Sequence, residues 1–99
     1  MNPFAPAAGQ TVNIDVGSSS ANVQVTSGTG ITNIRVMNNG TATAWIKFGA
    51  DNTVAATTAT GVPIGPGVTE VLSAQSPVWV AAIAAGSTGK IYFTPGSGI

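Results

Sequence analysis

Apolar and polar residues alternate along most of this chain with a period of two. Val12, Ile14 and Val16 alternate with Thr11, Asn13 and Asp15, and Val23 and Val25 alternate with Asn22, Gln24 and Thr26. That period sends successive side chains to opposite faces of a strand. The two segments read as a hairpin turned at Gly17-Ser18-Ser19-Ser20, with one wet face. Ile34 and Val36 carry the pattern to Asn38-Asn39-Gly40, after which Ala42, Ala44, Ile46 and Phe48 resume it. A two-residue Asn39-Gly40 loop would set Ile34 opposite Trp45 and mix the faces. A three-residue loop with Gly40 left-handed pairs Val36 with Ala42 and Ile34 with Ala44. The second register is expected, because it buries Ile34, Val36, Ile46 and Phe48 together. It leaves Arg35, Met37, Trp45 and Lys47 on the other face.

Beyond Gly49 the chain turns Ala/Thr-rich from Asn52 to Thr60, and the strand signal weakens. Gly61-Val62-Pro63-Ile64-Gly65-Pro66-Gly67 is stiff turn sequence, suited to an edge or a corner because each Pro lacks a ladder donor. Val68 to Ser73 and Val78 to Ala84 read as strands. The latter is apolar on both faces, which marks a central strand with Trp79 in the core. Gly86-Ser87-Thr88-Gly89 turns into a strand from Lys90 to Thr94, stopped by Pro95-Gly96. Short strands, Gly/Pro turns and no helical period predict an all-β fold, an antiparallel β-sandwich of jelly-roll or Greek-key type. The domain spans residues 11–99, and residues 1–10 form an extended N-terminal arm without strand pattern. The arm reads either as disorder or as a segment laid on a neighbour with Phe4 in a pocket.

Composition narrows the function more than the fold. Of 99 residues only 6% are charged, while 43% are apolar, against about 25% charged in an average soluble domain. Arg35, Lys47 and Lys90 balance Asp15, Asp51 and Glu70 to a net charge of zero. Three scattered cations cannot neutralise a run of phosphates, so nucleic acid is not an expected partner. The longest apolar run falls well short of the roughly 18 to 20 residues of a membrane span. Met1-Asn2-Pro3-Phe4-Ala5-Pro6 does not read as a signal peptide, which places synthesis in the cytosol. A surface of hydroxyls and amides rather than charges suits a protein that meets other protein in an assembly.

The residues of catalysis are missing. The chain has no His and no Cys, so imidazole acid–base chemistry, thiol nucleophiles and thiolate metal sites are excluded. Asp15, Asp51 and Glu70 fall in separate turns and strands, and Gly28-Thr29-Gly30 lacks the Lys and following helix of a phosphate loop. No enzyme activity and no cofactor or metal are expected. Trp45, beside Arg35 and Lys47 in the expected hairpin register, reads as an aromatic hot spot for a partner or as part of a second inner face with Arg35 over the ring.

The stretch Ile34-Arg35-Val36-Met37-Asn38-Asn39-Gly40-Thr41-Ala42-Thr43-Ala44-Trp45-Ile46-Lys47-Phe48-Gly49 resembles small proteins from the structural gene clusters of tailed bacteriophages. Pro63-Ile64-Gly65-Pro66-Gly67 leading to Glu70-Val71-Leu72, and Val80-Ala81-Ala82-Ile83 followed by a strand closing at Thr94-Pro95-Gly96, continue the resemblance. It implies a head decoration or cement protein, a β-sandwich on the outer capsid surface of the virion, assembled in the host cytoplasm. Such a protein bridges neighbouring copies of the major capsid protein and is itself a homo-oligomer, dimer or trimer. Pro3, Phe4, Pro6, Arg35, Trp45 and Lys47 are then the expected partner-binding residues. A tail, connector or fibre-associated β-domain that binds carbohydrate through Trp45, Arg35 and Asn33 is the alternative.

Overall fold

A computed structural model describes residues 4–7, 9–25, 32–49, 51–73, 79–86 and 89–97. Pro3, Gly28-Thr29-Gly30, Val78, Ser87, Thr88, Gly98 and Ile99 lie outside the described residues. Within them the chain is all-β, with strands β1 (Ala5–Pro6), β2 (Val12–Val16), β3 (Ala21–Gln24), β4 (Asn33–Asn38), β5 (Ala44–Gly49), β6 (Val62–Ile64), β7 (Thr69–Ser73), β8 (Trp79–Ile83) and β9 (Gly89–Ser97).

One sheet runs β1-β9-β4-β7, with β2 beside β1 on the same flank of β9; the other runs β3-β8-β5-β6. All pairings are antiparallel. Val12 pairs with Phe93, Ala21 with Ala82, Asn33 with Ser73 and Ala44 with Ile64. The partners nest like those of one long hairpin whose apex is the β5–β6 connection, rolled so that successive pairs alternate between sheets. This arrangement is the jelly roll, one of the two sandwich types expected.

The alternation places the apolar sets of β2, β3, β4 and β5 inward as expected. Ile14, Val16, Ile34, Val36, Ile46, Val80, Ile91 and Phe93 form one buried cluster between the sheets, with Val12, Val23, Phe48 and Leu72 at its margin. Each such aliphatic or aromatic side chain contributes about 1.5–3 kcal/mol when fully buried.

The two expected hairpins do not form. β2 pairs with β9 and β3 with β8, so Gly17 to Ser20 is a corner between sheets. β4 pairs with β7 and β9, and β5 with β6 and β8, so Asn38-Asn39-Gly40 is also a corner. Ile34 and Val36 still share a core with Ile46, but across the sandwich rather than along one hairpin face. The corner is fixed by Asn38, a wholly buried polar side chain. Its Nδ2 donates to Ala42 O (3.0 Å) and to Ile64 O (2.8 Å), and its Oδ1 accepts from Gly40 N (2.9 Å). Its backbone binds Val68 O and Gly67 N. One amide thus ties β4 of the first sheet to β6 of the second.

β9 does not stop at Pro95-Gly96 but continues to Ser97. Pro95 O accepts from Ala7 N (2.8 Å) and Gly96 O from Thr32 N (2.8 Å), so Pro95 faces β1 and Gly96 faces β4. In a strand the N–H and C=O of a residue point the same way. The missing N–H of Pro95 therefore falls at the break between β2 and β1, where no ladder partner waits. Pro63 sits on β6, the short edge strand of the second sheet, as a Pro within sheet should.

Candidate functional site

The expected face of Arg35, Met37, Trp45 and Lys47 is divided between the two outer faces of the sandwich. Arg35 projects from β4 on the first sheet, beside Val71 and Thr94. Trp45 and Lys47 project from β5 on the second, opposite Ile83 and Ala81. The correction follows from the corner at Asn38: with β4 and β5 in different sheets, their polar faces point away from each other.

On the first sheet, Phe4 lies over Gly96, and a Cβ added there would meet Phe4 Cζ at 2.7 Å and Pro6 Cα at 3.0 Å, as well as clashing with Ala5 O. Only a residue without a side chain admits this approach. The Arg35 guanidinium stands 5.3 Å from the centroid of the Phe4 ring, within cation–π range. Residues 4–7 of the arm thus lie on the chain's own sheet, with Ala5 and Pro6 paired to Ser97 and Gly96. Beyond the arm, no other segment among the described residues crosses this face. Met37, 41% exposed, pairs with Thr69 and Tyr92. Asn13 follows Tyr92, and Lys90 Nζ meets Asp15 Oδ1 at 2.7 Å. That contact raises the lysine's pKa above its ordinary value.

The second sheet is covered by its own chain. The Ala/Thr-rich segment, residues 51–61, crosses its outer face as a strap. Asn22 Nδ2 donates to Asn52 O (2.9 Å) and Val54 O (3.3 Å), and Ala56 N donates to Ser20 Oγ (2.9 Å). Val54 packs onto Gly49 so closely that a Cβ on the glycine would collide with it. Gly61, bonded through its N–H to Thr57 O (2.8 Å), lies against Trp45. At the head of the strap, Asp51 accepts from the Thr53 hydroxyl and amide, which holds its carboxyl below the usual range. On this face Ala81 is buried and Trp45, Ile83 and Trp79 are half-buried, and Ala56 of the strap is itself buried. Trp79, expected in the core, is on this outer face opposite Gln24 and Gly49; Val80 and Ala82 are the inward residues of β8.

Asn33 and Arg35 share the first sheet with Trp45 on the other, so the three do not converge on a glycan-sized site. Asp15 is on β2, Glu70 on β7 and Asp51 in the strap, and among the described residues no three His, Cys, Asp or Glu side chains gather. Nor, among those residues, is any helix long and apolar enough to cross a membrane. Sequence reasoning missed the strap and the bare Met37–Tyr92 face, although the exposure of Met37 followed from its place in the alternation.

The chain is an antiparallel β-sandwich with one outer face strapped and the other, among the described residues, open beyond the arm. No protein-family model and no curated protein sequence matches it. A crystal structure of PirA is similar over 90% of this chain and 95% of that chain, with a TM-score of 0.52 and 14% identity. At that identity the likeness speaks for the fold alone.

Proposed function

We propose that the protein is a virion structural protein, a decoration or cement protein that binds the outer surface of a phage head and stabilises contacts between major capsid subunits. The observation that carries the reading is the character of the exposed surface. An accessible area of 5173 Å², ordinary for a chain this size, bears six charged side chains summing to zero. Hydroxyl, amide and methyl groups make up the rest, which suits lasting contact with protein more than free diffusion. The resemblance from Thr11 to Gly98 points the same way.

Docking uses the bare face of the first sheet, where Arg35, Met37 and Tyr92 stand together, because the strap already occupies the opposite one. Bound copies stabilise the shell by mass action, and a symmetric lattice multiplies a modest affinity per site. The test is co-sedimentation with undecorated capsids that lack the protein, together with the capsid melting temperature. Saturable binding and a raised melting temperature are expected, abolished by Met37→Glu and little changed by Lys47→Glu. Absence of binding at about 10 µM protein overturns the reading.

A further inference from the structure

The four sheet edges are not alike. β2 carries Asp15, held by Lys90, and packs along β3, which closes that side of the sandwich. β3 is also bonded to the strap, through Asn22. β6 is three residues long and contains Pro63. Charge, cover, shortness and Pro are the usual protections of an edge. Among the described residues β7 has none of them except one carboxylate, Glu70, in five residues of strand.

The direction of its free backbone groups follows from the ladder. Asn38 N donates to Val68 O (3.0 Å), so the hydrogen-bonded pairs of β4 and β7 are Asn38 with Val68, Val36 with Glu70 and Ile34 with Leu72. Thr69, Val71 and Ser73 therefore aim their N–H and C=O groups away from the sheet, and among the described residues none of these groups has a partner. The large exposed apolar residues gather here too. Val68 (39%) precedes β7, Met37 (41%) pairs with its first residue, and Val62 (46%) lies on β6, the neighbouring edge of the other sheet.

We infer that β7 is a homodimerisation edge, pairing antiparallel with β7 of a second copy about a two-fold axis at Val71. The edge is self-complementary in that register. The two Val71 residues exchange both hydrogen bonds, and Thr69 faces Ser73 of the other copy at either end. Glu70 falls opposite Leu72 rather than a second Glu70, so no like charges meet head-on. A second copy thus satisfies every free group on the strand, and the isologous contact closes at two subunits. The inference is independent of the capsid reading; a dimer so formed extends the first sheet continuously and presents its bare outer face twice.

Sedimentation equilibrium on the purified chain tests it, with Val71→Pro and Val71→Lys as variants and Gln24→Lys on β3 as control. Pro is tolerated where the lost N–H faces solvent, so Val71→Pro keeps the β4–β7 ladder and removes the central donor. Reversible dimers are expected for wild type and Gln24→Lys, and monomers with an unchanged circular dichroism spectrum for both Val71 variants. A trimer, a monomer at about 1 mM, or a folded Val71→Pro that still dimerises overturns the proposal. Amide exchange on the wild type reads the edge without any variant. Protection at Thr69, Val71 and Ser73 should rise about tenfold between dilute and concentrated protein; equal exchange at both concentrations contradicts the pairing.

Discussion

Two segments lie on the outside of this sandwich, the strap of residues 51–61 on the second sheet and the arm of residues 4–7 on the first, and they are held very differently. The strap is bonded at Ser20 and Asn22, packs Val54 onto Gly49, and lays its own Gly61 against Trp45. The arm has a two-residue strand, one further backbone bond to the sheet and a single ring over Gly96. The strap is therefore part of the folded unit, and the arm is a light cover at one end of a face that no other described segment crosses.

The largest effect expected from breaking this contrast is at Gly49. Gly49→Ala drives a methyl group into Val54 and lifts the strap, at a cost of about 2 kcal/mol. Urea unfolding reads the loss, and the emission of Trp45 and Trp79 should move to the red in the folded state. Removing the arm, with the chain begun at Thr11, forfeits the Phe4 contact and its cation–π partner and costs about 1 kcal/mol. It leaves tryptophan emission unchanged, since both indoles are on the opposite face.

The smallest effect is that of pH. Asp51 has a depressed pKa, so it contributes stability above its unfolded value, about 4, and that contribution fades as pH falls through the folded value. Lys90, with a raised pKa, contributes below about 10.4 and loses it as pH rises through its folded value. The melting temperature should be level between about pH 5 and 9. Asp51→Asn reduces the acid decline and Lys90→Met the alkaline one. Both groups are exposed, which keeps either step small.

What alternation reveals explains which parts of this fold were legible. It reports which side chains point inward, and the inward sets of β2, β3, β4 and β5 are those expected from the sequence. It does not report whether the next strand pairs alongside or crosses to face it, because Ile34 and Ile46 meet in the core either way. Both turns taken as hairpins are corners for that reason, and the division of Arg35 from Trp45 follows. The corner at Asn38 depends on its amide reaching Ile64, 26 residues on, and the strap on bonds from Asn22 to residues 30 and 32 positions away. No local pattern encodes such contacts. Trp79 departs from its expected place because an apolar run on both faces of β8 does not say which face meets the other sheet.

Oxidative footprinting of the protein free and bound to undecorated capsids tests the central claim most directly, since Met37, Tyr92, Trp45 and Trp79 report on the two faces separately. Docking through the open face predicts that Met37 and Tyr92 become protected while both tryptophans react as they do in the free protein. Protection of Trp45 and Trp79 with Met37 unchanged would place the contact on the strapped face and contradict the account.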